Sequence, residues 1–203
     1  EDEKVLSDKE KVKYFTGMIR KENRRMNQQV ENVLQMACLE KGELSLKMKP
    51  LALHEIINNV CRTFELQIKQ KNIKLDLMLD SEKDMIQADE DHLLNVIQNL
   101  LDNAIKYSSV NAEIHISSTI TSEKIFLSIK DNGMGMSKEQ LKHIFDPFYR
   151  GQTGNIHDVK GFGLGLSYVK SVLQLMNAEI NVNSIPHEGS EFVISFDKIN
   201  SNE

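Results

Sequence analysis

The chain has 203 residues, 40% hydrophobic and 27% charged, with a formal net charge of −5. That is the composition of an ordinary globular protein, and the acidic balance argues against a nucleic-acid binder. No apolar run is long enough to span a bilayer and no signal-peptide pattern is present; two cysteines without CxxC spacing and six scattered histidines make neither a disulfide framework nor a zinc motif.

The start, Glu1-Asp2-Glu3-Lys4, has no initiator Met and reads as the beginning of a fragment. Residues 7 to 40 follow as one long helix. Val12, Phe15, Ile19, Met26, Val30, Val33 and Ala37 form a seam spaced by threes and fours with one gap at Glu22 or Asn23, opposite a charged face of Lys21, Glu22, Arg24 and Arg25. A helix of this length cannot bury its own stripe, so a partner helix is expected. Gly42 closes it and Pro50 marks a second boundary, which divides the chain into 1–42 and 43–203. Glu43 to Lys49 alternates like a short strand, 51–70 returns to a helical period, and Ile73 to Leu79 alternates again.

A helix is expected over 89–108, with Leu94, Ile97, Leu101 and Ile105 on its buried side. Asn95, Asn99 and Asn103 recur every fourth residue on one face, which Lys106 and Tyr107 continue. Asparagine is a poor helix-interior residue, so three in one stripe suggest a face lining a cavity. A carboxamide oxygen is a hard, neutral ligand suited to Mg²⁺, and Lys106 suits a phosphate. Ala112 to Ser118 and Lys124 to Lys130 read as paired strands. The second strand ends in Asp131-Asn132-Gly133-Met134-Gly135-Met136. There a carboxylate accepts from an exocyclic amine, and glycines remove the Cβ atoms that would collide with a flat ligand.

A long polar stretch with Pro147 leads to Lys160-Gly161-Phe162-Gly163-Leu164-Gly165-Leu166-Ser167, just before a helix from Gly165 to Met176. Such glycines expose backbone N–H groups suited to phosphates. The spacing fits neither the dinucleotide fingerprint nor a P-loop. Strands near 179–184 and 191–196, around Pro186 and Gly189, complete an α+β pattern.

In this order the motifs resemble the ATP-binding domain of two-component sensor histidine kinases. The asparagine box is followed by two glycine boxes, with an aromatic box, Ile144-Phe145-Asp146-Pro147-Phe148-Tyr149-Arg150, between them. The resemblance covers about 45–197, and the preceding helix is similar to the second helix of the family's dimerization and phosphoacceptor domain. It implies a two-layer α/β sandwich of the histidine-kinase and gyrase ATPase type, a mixed sheet with helices on one face. It implies ATP and Mg²⁺, with Asn103 on the metal, Asn99 beside it and Lys106 on phosphate. Tyr107 lines the adenine or ribose, Asp131 takes the adenine amine, and Gly133, Gly135 and Met136 form the floor. A lid runs from about 136 to 165, anchored by Phe145 and Phe148, with Arg150 and Lys160 reaching phosphates. Gly161, Phe162, Gly163, Leu164, Gly165 and Leu166 form the hinge and phosphate turn, and Ser190 belongs to a further minor box.

Related ATPases such as gyrase carry a Glu one turn before the metal Asn, where it activates water. Here that position is Asn99, and an amide is no general base. The resemblance therefore implies transfer of the γ-phosphate to a histidine, not hydrolysis; a hydrolysing ATPase or an ATP-sensing scaffold of the same fold is the alternative. His54 is followed by Glu55 but by no Pro, and reads as a structural or surface residue. The phosphoacceptor histidine is then expected on a helix outside this sequence, and this fragment alone is not expected to phosphorylate itself. The other implied partners are a second copy of the parent chain and a response regulator, in the cytoplasmic part of a parent in the cell inner membrane.

Overall fold

Residues 9–41, 44–80, 84–108, 112–151 and 163–199 are described by a computed structural model of the chain. Lys9–Glu40 (α1) forms one helix of 32 residues. Phe15, Ile19, Met26, Val30 and Val33 of the expected seam are exposed on it, as are Tyr14, Met18 and Leu34. Contacts divide the chain into two compact units, Glu1–Leu44 and Ser45–Glu203.

The second unit begins with Lys49–Ala52 (β1), followed by Leu53–Gln70 (α2), Lys74–Met78 (β2), Met85–Ala88 (β3) and Glu90–Tyr107 (α3). Glu113–Ile120 (β4) and Lys124–Asp131 (β5) come next, then Lys138–His143 (α4), Gly165–Leu175 (α5), Glu179–Ile185 (β6) and Gly189–Asp197 (β7). Five strands form a mixed sheet in the order β2-β4-β5-β7-β6. Among the described residues only the β2–β4 pairing is parallel. A separate antiparallel pair joins β1 to β3.

Strand alternation puts Ile114 and Ile116 of β4, Ile125, Leu127 and Ile129 of β5, and Phe192, Ile194 and Phe196 of β7 on the buried face. Against them lie Leu53, Ile57 and Val60 of α2, Leu93, Ile97, Leu100 and Leu101 of α3, and Val169, Val172 and Leu173 of α5. The result is the expected α+β sandwich with its core between one sheet face and the helices.

Four local expectations need correction. The strand expected over Glu43 to Lys49 is instead β1, and Pro50 sits inside it. The preceding segment is drawn off the ladder because the Lys47 N–H donates to Asp89 Oδ2 at 2.7 Å. Strand β3 is hidden in the sequence because its four residues run straight into the helix N-cap Asp89, which accepts from the His92 N–H. Helix α4 lies inside the polar stretch read as loop, started by a reciprocal cap between Ser137 and Gln140. On α3, Leu94 is only half-buried, and the buried stripe is Leu93, Val96, Ile97, Leu100, Leu101, Ala104 and Ile105.

Candidate nucleotide site

The site forms where the C-terminal half of α3, the end of β5, the β6–β7 turn and the start of α5 converge. At its base end, Asp131 closes strand β5 opposite Ser190 of β7 and is 7% exposed. Its Oδ1 accepts from the Gly133 N–H at 2.8 Å. Burial pushes the carboxyl above its ordinary value of 3.8, against the opposing pull of backbone donors at Gly133 and Ser190. A carboxylate buried without a cation is costly, so it suits a ligand that brings a donor to it.

The walls of this end are backbone. A Cβ at Gly133 would lie 2.5 Å from the Tyr107 carbonyl oxygen, and the Met134 N–H donates to that oxygen at 3.2 Å. A Cβ at Gly189 would lie 1.9 Å from the Asp131 carbonyl oxygen, and one at Gly135 the same distance from that of Ile185. The Met136 N–H donates to Ser184 Oγ at 2.8 Å. That hydroxyl in turn donates to the Gly189 carbonyl at 2.8 Å and meets Ser190 Oγ at 2.9 Å. Ser184 carries no motif of its own, and its role depends on the β6–β7 register and on Met136, distant in the chain.

At the opposite end, α3 and α5 meet through side chains. Asn99 Nδ2 donates to the Asn95 carbonyl at 2.8 Å. Its Oδ1 lies 2.6 Å from where a Cβ on Gly165 would be. The asparagine face and the last glycine of the second glycine box are thus in direct apposition. Asn103, one turn further on, is half-buried, and among the described residues its carboxamide has no hydrogen-bond partner. Among those residues no cluster of three or more His, Cys, Asp or Glu side chains is placed to hold a metal. A cation at Asn103 would therefore draw its other ligands from phosphate and water, as Mg²⁺ commonly does.

Lys106 forms an ion pair with Asp102, one turn back on α3, so a phosphate would have to compete for it. Tyr107 is part exposed at the end of that helix. In the aromatic box, Phe145 lies under Lys170 of α5, with Nζ 5.3 Å from the ring centroid. Phe148 does not anchor by burial, contrary to expectation. It is 64% exposed, with a φ of 64°, and it is held by its backbone N–H, which donates to the Gly163 carbonyl at 3.0 Å. Gly163, with φ of 72°, is in the left-handed region that glycine adopts freely. A Cβ there would also sit 2.5 Å from the Tyr149 carbonyl. Arg150 is exposed, Leu164 is buried and Leu166 is half-buried. Lys160, Gly161 and Phe162 lie outside the described residues.

His54 is part of a separate network away from this site. Its Nε2 is 2.8 Å from Ser118 Oγ and its Nδ1 is 3.4 Å from Asp84 Oδ2, which bears out the structural reading.

A buried carboxylate at a strand end, an amide face on a helix and a glycine turn opposite it define a nucleotide-binding α/β sandwich. The chain belongs to the histidine kinase-, DNA gyrase B- and HSP90-like ATPase family, which matches residues 88–200, and so carries an ATP-binding domain. Sensor protein RprX of Bacteroides fragilis is 41% identical over 196 residues, 96% of this chain and 38% of RprX. The adaptive-response sensory kinase SasA of Synechocystis is 31% identical over 174 residues, 85% of this chain and 45% of SasA. The chain thus spans less than half the length of these curated relatives. The solved catalytic domain of histidine kinase ThkA superposes with a TM-score of 0.67 at 27% identity, covering 75% of this chain and 99% of that domain. No helix among the described residues is long and apolar enough to cross a membrane.

Proposed function

We propose that this chain is the part of a sensor histidine kinase that binds Mg·ATP and presents its γ-phosphate to a phosphoacceptor histidine, for relay to an aspartate of a response regulator. The observation that carries this reading is the state of Asn99. Its amide is held by the Asn95 carbonyl and its oxygen faces Gly165, so the position where hydrolysing relatives carry a glutamate holds a fixed neutral group. An amide neither takes a proton from water nor repels the phosphate chain.

In this reading Asn103 supplies an oxygen to Mg²⁺, with Asn99 beside it, and the metal neutralises charge on the phosphates. Asp131 accepts from the adenine amine on the floor of Gly133, Gly135, Met136 and Tyr107, with Ser190 behind it. Backbone N–H groups at Gly163, Leu164, Gly165 and Leu166 face the phosphates at the start of α5. Phe148, Arg150, Lys160, Gly161 and Phe162 belong to the cover, and Lys106 exchanges Asp102 for phosphate when nucleotide binds. The exposed stripe of α1 belongs in a helical dimer of the parent chain, in a cytoplasmic region of a protein of the cell inner membrane.

The test is a longer chain that restores the upstream helix. With Mg·ATP it is expected to accumulate acid-labile phosphate on a histidine, and an Asn103→Ala version is expected to lose this together with the Mg²⁺ dependence of ATP binding. Release of free phosphate without phosphoprotein would favour a hydrolysing ATPase. ATP binding without either product would favour a sensing scaffold.

A further inference from the structure

Tyr168 stands three residues after Gly165, in the first turns of α5, and is 6% exposed. Packing alone does not account for it, because its hydroxyl is also engaged. The oxygen is 2.8 Å from His92 Nδ1 on α3, and the two rings lie 6.2 Å apart between centroids. Burial pushes the phenol up to about 12, so it keeps its proton to donate. His92 is fixed in turn, since its backbone N–H donates to Asp89 Oδ1 at 3.1 Å and Asp89 also holds the Lys47 N–H.

The same two helices meet at two successive places. His92 on α3 holds Tyr168 on α5; Asn99, whose Nδ2 donates to the Asn95 carbonyl at 2.8 Å, sets its Oδ1 against Gly165, one helical turn before Tyr168. Apolar packing between α3 and α5 is non-directional and tolerates rotation of one helix against the other. A phenol hydrogen-bonded to an imidazole on the facing helix does not.

We infer that Tyr168, paired with His92, is a positioning residue for the nucleotide's phosphates: it fixes the rotation of α5 so that its first turn stands over the Asn99–Asn103 face. It touches no ligand and acts through His92, Gly165 and Asn99. The inference rests on the Mg·ATP reading above. It adds a determinant that acts at the phosphate end and leaves the base end untouched, since Asp131 and its glycines are held by the sheet.

The test uses the 203-residue chain and two probes, Mg·ATP and adenosine, titrated into wild type, Tyr168→Phe, His92→Ala and His92→Gln. Tyr168→Phe and His92→Ala are each expected to weaken Mg·ATP about fivefold, the effect of one lost buried hydrogen bond, with adenosine affinity unchanged. His92→Gln should restore most of the loss, because a carboxamide oxygen accepts the phenol proton. The Tyr168→Phe/His92→Ala double variant should bind no more weakly than either single. Unchanged Mg·ATP affinity, parallel losses for both probes, or full additivity in the double variant would each overturn the inference. If Tyr168→Phe unfolds, the His92→Ala and His92→Gln pair decides. A wild type that binds adenosine but gains nothing from the phosphates and Mg²⁺ overturns the Mg·ATP reading itself, and this inference with it.

Discussion

The two ends of the site are built on different principles. The base end is a product of the sheet. Asp131, Gly189 and Ser190 are fixed by strand register, and neighbouring carbonyls and N–H groups close the walls. The phosphate end is a product of two helices that touch through amides, a phenol and an imidazole. Backbone ladders resist local change because each bond is backed by its neighbours, whereas side-chain bonds between helices stand or fall singly. The difference teaches that base recognition and global stability are coupled in this molecule, while phosphate recognition is separable from both.

Substitution at Gly189 should break the comparison most severely. Its φ is 106° and a Cβ would stand 1.9 Å from the Asp131 carbonyl oxygen. Gly189→Ala is expected to destabilise the fold by at least about 1–3 kcal/mol from backbone strain alone, with the displacement of β5 added. A thermal melt reads this, and a wild-type midpoint would show that the two strands are not closely held.

Asp131→Asn sharpens the comparison by moving base recognition and stability in opposite directions through one residue. The amide loses the charged acceptor for adenine, expected to cost about 1.5–3 kcal/mol, or roughly tenfold and upward in ATP affinity. It gains a donor that suits the carbonyl of guanine, so the preference for ATP over GTP should fall in competition titrations. The unliganded protein should nevertheless melt higher at neutral pH. Burial raises the carboxyl's folded pKa above its ordinary 3.8, so the ionised form disfavours folding. That penalty is present above the folded pKa, eases as pH falls through it, and is gone below about 3.8. The melting advantage of the amide should follow the same course, measured against wild type from neutral to acid.

The smallest effect is expected at Gly165. An added Cβ meets only the end of the Asn99 side chain, 2.6 Å away, which is able to rotate. Gly165→Ala should keep its melting temperature, since alanine favours the helix by about 1 kcal/mol, while Mg·ATP binding weakens several-fold. Calorimetric titration beside a melt would show whether the two quantities part.

Much of this was legible in the sequence because the informative residues act locally. Asn99 and Asn103 share a face through helical period alone, and Asp131 ends a strand whose alternation is plain. The buried sides of β4, β5 and β7 follow from period two. What could not be read depends on contacts between distant segments or on very short elements. Met85–Ala88 has too few residues to show a period. Ser137 and Gln140 have the spacing of a reciprocal cap, but the six residues of α4 are too few to show a helical period. Leu94 took the place of Leu93 because a one-residue error in phase is invisible from period alone. Tyr168 and His92 look like one core and one surface residue until two helices bring them together, and Ser184 gains meaning only from the register of β6 with β7.

The pairing of β1 with β3 has a further consequence for engineering the domain. The chain leaves β7 and returns to the same small ladder: Lys198 bridges to Ile86, and the Ile199 N–H donates to the Met85 carbonyl at 3.0 Å. Strand β3 is thus clasped by the unit's first strand on one side and by the residues after its last strand on the other. Trimming the tail before Lys198 would expose a strand edge beside the entry segment, so two apparently dispensable ends form one seam. A clone designed for crystallisation or for a fusion has to keep both or lose the closure they make together.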